Sequence, residues 1–263
     1  MKKKTNIIAI IVLSILAIIT IFPLVYTFLN AFNTGSAYGL IPKEWGIRGF
    51  YETFVRRPDY LIKFWNSLFI AICIITGQLL VSCLAGYGFS RFKFPGKNIL
   101  FYLIIILMMM PYQVTLVSNY AILERLNLIG KEAAVILPAI FSPFGVFLLK
   151  QAFDMCPTEF CEAAKLDGAG EVRTLFSVMI PRAKAAVASL VILSFVDAWN
   201  MVEQPLVFLR SQYQYPLSVF LSQMNERIIG MVCVCGILAA LPVLLLFLFF
   251  DEDLVEGISF TKI

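Results

Sequence analysis

Long apolar stretches that are nearly free of charge constrain the fold of this 263-residue chain more than any other feature. A bilayer core about 30 Å thick needs roughly 20 helical residues to cross it, and no alternating pattern of barrel strands is visible. Backbone polar groups in lipid must pair within their own segment, which favours helices. We therefore predict an all-α membrane protein, with one transmembrane domain over 1–263 and six spans. The predicted spans are about 7–29, 66–90, 98–119, 132–150, 185–205 and 228–250.

The composition agrees with a membrane location and excludes several functions. Hydrophobic residues make up 60% of the chain and charged residues 14%, whereas a soluble domain is about a quarter charged. The net charge of +4 favours basic loops facing anionic lipid over nucleic-acid binding. Histidine is absent, which removes the commonest general base and metal ligand. We expect no metal site and no catalytic residues, because no nucleophile with a base is evident.

The cysteines predict neither a disulfide framework nor a zinc site. Four lie in apolar runs, where cysteine behaves as a small hydrophobe. The other two, Cys156 and Cys161, flank an acidic helical stretch without the spacing of zinc ligands.

Loop charges predict the orientation. With the N-terminus inside, the inner segments hold 12 Lys and Arg residues and the outer segments hold 9. The bias is clearest beside the spans, at 2–4, 91–97 and 182–184. The basic residues 2–4 also suit a signal peptide, but the following apolar run is too long and no small-residue cleavage site follows it closely. We expect a retained first span and cytoplasmic N- and C-termini.

The loop predicted between spans four and five, 151–184, carries the most information. Pro157 suits a first helical turn, and Gly168 stands where a helix stops in a left-handed turn. A second short helix is predicted over 171–179, ending before Pro181, which cannot continue it. Such an element projects from the membrane and can seat in a groove of a soluble partner.

This loop resembles the EAA loop of bacterial ABC importer permeases. Residues 162–168 read Glu-Ala-Ala-Lys-Leu-Asp-Gly, and nine residues later 178–181 read Val-Met-Ile-Pro. The family pattern is Glu-Ala-Ala, three residues, Gly, nine residues and Ile-x-Leu-Pro, from which Val178 and Ile180 depart conservatively. In that family the loop forms a coupling helix that docks in a cleft of a cytoplasmic ATPase. The coupling residues that the resemblance implies are Glu162, Ala163, Ala164, Asp167, Gly168 and Pro181.

Four further strings are similar to carbohydrate importer permeases, in particular the smaller permease of the maltose-transporter type. The departures are Asn127, where that family has glycine, and an acidic tail at 251–253. The similar strings are 85–97, 110–116, Trp199-Asn200 with Pro205, and 255–257.

The resemblance implies a permease subunit of an ATP-driven, binding-protein-dependent importer for a sugar or oligosaccharide, in the bacterial cytoplasmic (inner) membrane. The sequence contains no Walker-type phosphate loop. We therefore expect no ATPase activity and no bound cofactor in this chain, with ATP and Mg on partner subunits. The implied partners are cytoplasmic ATP-binding subunits, a second permease, an extracytoplasmic solute-binding protein and the lipid bilayer.

Polar residues within the predicted spans are candidates for the solute path. Asp197 either lines that path or pairs with a partner subunit, since a membrane carboxylate is costly. Trp199 and Asn200 either bind a sugar ring and its hydroxyls, or pack and hydrogen-bond between helices. Gln113 with Pro111 either loosens span three beside the path or only kinks it.

Alternative functions remain at this point. An ABC importer permease for a non-carbohydrate solute fits the same loop. A secondary transporter is disfavoured, because paired broken helices and coupling-ion sites are typical of that class and Asp197 is the one evident membrane carboxylate. In the outer loop, 213–215 either contact a solute-binding protein or anchor at the interface.

Overall fold

The computed structural model describes residues 7–35, 39–56, 59–224 and 229–259. Among these residues there is no β-strand, only one bridge between Asn33 and Trp45. The predicted all-α class is therefore confirmed. The basic residues 2–4, Arg57, Arg227 and Lys262 that entered the charge count lie outside the described residues.

The helices are named here in chain order. A π-helical turn follows α2 at Glu52–Arg56, another joins α9 to α10 at Leu175–Met179, and a 3-10 turn lies at Gln212–Gln214. The α-helices are α1 Ile7–Ala31, α2 Arg48–Tyr51, α3 Asp59–Arg91, α4 Lys97–Met108, α5 Tyr112–Arg125, α6 Ala133–Ile140, α7 Pro143–Asp154, α8 Glu159–Leu166, α9 Glu171–Thr174, α10 Ile180–Arg182, α11 Lys184–Trp199, α12 Glu203–Phe208, α13 Leu217–Ser222 and α14 Ile229–Ser259.

Four helical stretches of the described chain are long and apolar enough to cross a membrane: Ile10–Ala31, Asp59–Arg91, Ala133–Asp154 and Ile229–Phe250. Two further pairs of helices are long and apolar enough only when the two helices of a pair are counted as one segment. The pair α4 and α5 is bent by 105°, and Glu171–Arg182 with α11 is bent by 84°. The chain thus offers four to six spans, depending on whether each bent pair crosses the membrane once.

The predicted span 98–119, in which Pro111 was expected to loosen or kink the helix, is broken near its centre in the structure. Helix α4 ends at Met108, and Pro111 is extended, with φ −60° and ψ 135°, before α5 begins at Tyr112. Proline lacks an N–H, and it pushes the preceding residue out of the helical region. The break therefore lies where the sequence places its proline.

The predicted ends of two other helices also differ. Span five was expected to reach 205, but α11 ends at Trp199 and a separate short helix begins at Glu203. The helix expected to stop before Pro181 continues to Arg182. A π-helical turn precedes Pro181 and places it at the start of α10, where a missing N–H costs little.

The chain divides into two compact units. The first contains the described residues of 1–64 and 220–242. Within it, α2 approaches α14 closely, because a Cβ at Gly49 would lie 2.6 Å from the carbonyl carbon of Gly230. The glycines let these helices touch along their backbones. The buried cluster of this unit contains Ala31, Ile229, Cys233 and Val234.

The second unit contains the described residues of 65–219 and 243–263. Its core joins α3, α7, α8, the turn at Leu175–Met179 and α11. Glycine again permits close packing, since a Cβ at Gly86 would lie 3.0 Å from the backbone nitrogen of Lys150. The buried members of this core cluster are Cys83, Tyr87, Leu149, Phe153, Cys161, Leu175, Met179, Ala183, Ala186 and Leu190.

Candidate functional site

Helix α8 carries the Glu-Ala-Ala string and exposes most of it. Glu159 and Glu162 lie in its first turn, where negative charge interacts favourably with the helix dipole. Cys161 is the one buried residue of this helix, whereas Glu162 and Ala163 are exposed and Leu166 is 89% exposed. The helix therefore presents an acidic side chain and an apolar side chain on a surface that this chain does not cover.

The turn after α8 is built by glycine. Gly168 has φ +80°, and its N–H donates to the Lys165 carbonyl at 3.0 Å. The N–H of Ala169 donates to the Ala164 carbonyl at 2.9 Å. These two bonds form a Schellman motif with Asp167 as the C-cap. The predicted left-handed stop at Gly168 is confirmed, and the turn sends the chain back towards α9.

Three side-chain contacts fasten α8 to the helical residues that follow it. Cys161 Sγ lies 3.4 Å from Met179 Sδ. The Arg182 guanidinium lies 3.2 Å from the centre of the Phe160 ring, a cation–π geometry. Lys165 Nζ lies 2.7 Å from Glu171 Oε1. We call residues 159–182 the EAA segment. It is a helical hairpin with its own internal contacts.

The EAA segment also contacts α3. The buried Tyr87 hydroxyl donates to Glu171 Oε2 at 2.6 Å. Lys165 and this hydroxyl both stabilise the carboxylate, so they hold the pKa of Glu171 below its ordinary value. The same ion pair raises the pKa of Lys165. Arg91 donates to the carbonyls of Phe153, at 2.8 Å, and of Cys156.

A second group of polar residues surrounds the helix breaks at 109–111 and 200–202. Gln113 Nε2 lies 3.3 Å from Glu203 Oε2 and 3.5 Å from Glu203 Oε1. Both residues are exposed, as are Asp197 and Asn200 at the end of α11. We call Gln113, Asp197, Asn200 and Glu203 the polar break. Its side chains face outwards from this chain.

Trp199, the remaining path candidate, and its neighbour Asn200 have local contacts in the structure. Trp199 is 3% exposed and stacks on Phe195 with ring centroids 5.3 Å apart. Asn200 donates to the Val196 carbonyl at 2.9 Å. Trp199 therefore packs inside this unit, while Asn200 bonds to the last turn of its own helix and keeps an exposed face.

Glu203 is a residue that the sequence reasoning left out of its candidate site. Its carboxylate interrupts the apolar run of predicted span five, and a membrane carboxylate is a functional signal by itself. The pairing with Gln113, 90 positions away in the chain, is a tertiary contact without a local sequence signal. Among the described residues, no group of three or more His, Cys, Asp or Glu is placed to hold a metal ion.

The loop before α13 is held firmly in place. Asn66 Nδ2 donates to the Tyr213 carbonyl at 2.6 Å, and the Leu217 N–H donates to Ser67 Oγ at 2.7 Å. Gln214 Nε2 donates to Glu132 Oε1 at 2.9 Å. The ring of Tyr213 is 74% exposed, so the loop presents an aromatic side chain on a fixed backbone.

Two curated relatives align along nearly the whole chain. The arabinooligosaccharides transport system permease protein AraQ of Halalkalibacterium halodurans is 29% identical, with 98% of each chain covered. The sn-glycerol-3-phosphate transport system permease protein UgpE of Brucella abortus is 27% identical over 99% of this chain and 98% of its own length.

The fold matches solved structures of importers. A bacterial ABC transporter involved in the import of the acidic polysaccharide alginate contains a chain that aligns with a TM-score of 0.85. The identity is 19%, and the alignment covers 94% of this chain and 95% of that one. The bacterial alginate ABC transporter in complex with an alginate pentasaccharide-bound periplasmic protein also aligns, with a TM-score of 0.68, 14% identity, and 95% and 94% coverage.

The family match covers most of the chain, including α8 and the polar break. Residues 78–252 match the profile described as binding-protein-dependent transport system inner membrane component. The EAA segment at 159–182 lies inside the matched range, and the described helices supply the long apolar stretches of a multi-pass membrane protein. The chain therefore belongs to the family of binding-protein-dependent transport system inner membrane components and is a permease subunit of an ABC importer.

Proposed function

We propose that this chain carries a sugar or oligosaccharide across a bacterial cytoplasmic membrane, and that α8 couples it to a partner ATPase. The observation that carries the proposal is the surface of α8. This helix exposes Glu162, Ala163 and Leu166, has one buried residue, and ends in a rigid glycine turn at Gly168. A fixed helix with an uncovered mixed acidic and apolar face suits the cleft of a soluble protein.

The proposed topology has six spans and cytoplasmic termini. It counts the four continuous stretches, the bent pair α4 and α5, and α11 as one crossing each. The loop 151–184 then follows the fourth span on the side of the termini. Exposed Arg182 and Lys184 and the basic run 91–97 support a cytoplasmic location for that side.

Exposed apolar residues extend the proposed ATPase contact beyond α8. Val172 is 66% exposed and Phe176 is 48% exposed. Together with Leu166 they lie in a polar part of the sequence. Large apolar side chains grouped at such a surface mark a protein contact. In this scheme ATP and Mg are bound by two cytoplasmic ATPase subunits, and this chain contributes no catalytic group.

The polar break is the proposed contribution of this chain to the solute path. An amide donates and accepts hydrogen bonds and a carboxylate accepts them, so together they match the hydroxyl groups of a sugar. Gln113 and Glu203 supply both types of group on an exposed surface. A second permease subunit would close the other side of the path. An extracytoplasmic binding protein would deliver the solute, and exposed Tyr213 is a contact point for it.

The proposed cycle is a rigid-body switch. ATP binding draws the two ATPase subunits together and moves the cleft that holds α8. The packed EAA segment carries that motion to the spans, and the path changes from inward-facing to outward-facing. Hydrolysis resets the cycle.

A pull-down tests the coupling. The tagged chain is expressed with its genomic neighbours, solubilised in mild detergent and recovered as wild type, Glu162→Lys and Glu124→Lys. Glu124 is also exposed but lies on α5, so it is a matched charge-reversal control. We expect the ATPase and a second permease with wild type and with the control. Glu162→Lys should lower ATPase recovery about tenfold or more, since reversing an interfacial charge costs several kcal/mol.

The proposal fails if Glu162→Lys retains the ATPase as well as Glu124→Lys does. A non-carbohydrate solute is the second candidate, because the Brucella relative is named for sn-glycerol-3-phosphate. Uptake of labelled oligosaccharides and of labelled glycerol 3-phosphate by the same cells decides between these two solute classes without affecting the coupling result.

A further inference from the structure

Two side chains on one face of α3 contact the chain on either side of α8. Tyr87 and Arg91 are four residues apart on α3, which places them one helical turn apart on the same side. Tyr87 reaches the C-terminal end of α8 through Glu171 and Lys165. Arg91 reaches the chain just before α8 through the Cys156 carbonyl.

The C-terminal connection is a chain of two short polar contacts. Each oxygen of the Glu171 carboxylate has its own partner. Oε1 lies 2.7 Å from Lys165 Nζ in the last turn of α8, and Oε2 accepts from the Tyr87 hydroxyl at 2.6 Å. When α8 is displaced, its ion pair with Glu171 and the hydrogen bond between Glu171 and Tyr87 carry the displacement to α3.

The α3 end of this connection is rigid. Tyr87 is 4% exposed, and its ring packs edge-on against Phe92 and Phe153 at centroid distances of 5.7 and 6.4 Å. A ring packed in this way has little rotamer freedom. Motion at its hydroxyl is transferred to the α3 backbone and is not absorbed by side-chain rotation.

The connection on the N-terminal side of α8 is made by the guanidinium of Arg91. Arg91 donates to the Phe153 carbonyl in α7 and to the Cys156 carbonyl between α7 and α8. Charged donors make hydrogen bonds about twice as strong as neutral ones. Arg91 thus holds the segment just before α8 against α3, while Tyr87 holds Glu171, which follows α8.

Apolar packing alone holds α8 weakly. Of its residues only Cys161 is buried, and Leu166 is 89% exposed. The polar contacts of Tyr87 and Arg91 hold the residues on either side of this helix to α3, in addition to the contacts that α8 makes with 171–182.

We propose that Tyr87 and Arg91 form a two-point linkage that makes α3 move with α8 during the transport cycle. The proposal rests on the proposed docking of α8 on an ATPase. Both are positioning residues, since each acts through its contacts within the chain and transmits the displacement of α8 to a long apolar helix.

The test is hydrogen–deuterium exchange on the assembled importer in nanodiscs, with and without MgATP and orthovanadate. In wild type, nucleotide trapping should change exchange at 159–166 and also at 83–91. In Tyr87→Phe, which keeps the ring but removes the donor, we expect the change at 159–166 to persist. The change at 83–91 should fall by half or more, and further in Tyr87→Phe with Arg91→Lys.

Two control variants distinguish this linkage from a general effect of substitution on the fold. Tyr102→Phe makes the same chemical change at a 65% exposed ring on α4 and should respond like wild type. Lys165→Arg preserves the charge and should retain the α3 response. The linkage is overturned if Tyr87→Phe shows the full nucleotide-dependent change at 83–91. It is also overturned if exchange there rises equally with and without nucleotide, which indicates a purely structural role.

Failure of the proposed function has a different signature. In that case the ATPase is not recovered, or 159–166 does not respond to nucleotide in wild type itself, and the linkage falls with it. A normal response at 159–166 combined with an unchanged response at 83–91 in Tyr87→Phe overturns the linkage alone.

Discussion

The EAA segment and the polar break differ in how completely this one chain satisfies their side chains. In the EAA segment, Lys165, Glu171 and Cys161 all have partners within the chain, at 2.7 Å for the ion pair and 3.4 Å for the sulfur contact. In the polar break, the described residues show a contact between helices at Gln113, whose amide lies 3.3 Å from the Glu203 carboxylate. The EAA segment is thus held together by contacts within its own chain. The side chains of the polar break are left exposed at the surface.

This difference predicts which variants lose the partner and which alter transport. Changes that alter the exposed face of α8 or the turn at Gly168 should reduce ATPase recovery. Changes to the polar break should leave ATPase recovery intact and affect solute uptake. A polar-break variant that loses the ATPase, or an EAA-segment variant that changes uptake but keeps the ATPase, would contradict this division of roles.

The largest expected effect is from Gly168→Val, with Gly170→Val as its control. Gly168 has φ +80°, while Gly170 has φ −73° and ψ 167°, and among the described residues no atom beyond the adjoining residues lies within 4 Å of a Cβ at either position. The difference between them is therefore one of backbone conformation alone. A left-handed conformation costs an L-residue about 1–2 kcal/mol, and more for a β-branched one.

We expect Gly168→Val to reshape the turn and lower ATPase recovery about tenfold, since 1.4 kcal/mol corresponds to a factor of ten. Gly170→Val should match wild type, because valine adopts the extended region readily. Recovery is measured by pull-down at equal amounts of inserted permease. Equal losses in both variants would mean that side-chain bulk, and not the turn, governs docking.

A smaller effect is expected from Glu203→Gln in the polar break. The substitution keeps the shape and removes the charge that accepts from Gln113. Since neutral hydrogen bonds are weaker than charge-assisted ones, we expect uptake of a panel of labelled oligosaccharides to change about threefold to tenfold. ATPase recovery should stay at the wild-type level. Loss of the ATPase in this variant would show that the polar break and the EAA segment are not separable.

Some of this arrangement was predictable because it depends on neighbouring residues. Apolar stretches of span length predict the all-α class, and Gly168 after a run of helix formers predicts the left-handed stop. Both follow from interactions within a few residues. The family resemblance is local in the same sense, because it rests on the spacing between the Glu-Ala-Ala string and Pro181 within one segment.

The rest depends on tertiary contacts that no local pattern contains. Pro181 was expected to end a helix, but the π-helical turn at Leu175–Met179 lets the helix continue to Arg182. The contact between Tyr87 and Glu171 joins residues 84 positions apart, and that between Gln113 and Glu203 joins residues 90 apart. Pairings at such separation are set by how the helices pack.

Asn200→Ala is expected to have the smallest effect, and its result shows how far the polar break extends along α11. The Asn200 amide donates to the Val196 carbonyl at 2.9 Å on an exposed helix end, and such a bond contributes about 0.5–1.5 kcal/mol. If that bond is its main role, the thermal midpoint of the purified importer should drop by a few degrees at most. Uptake should then stay within about twofold of wild type, the change that about 0.4 kcal/mol produces. A large loss of uptake at an unchanged midpoint would instead place Asn200 against the solute, because a path residue contributes to transport without contributing to stability. That outcome would mean that the part of the polar break in contact with solute extends from Glu203 back to the end of α11. Trp199, packed on Phe195, would then be its inner boundary.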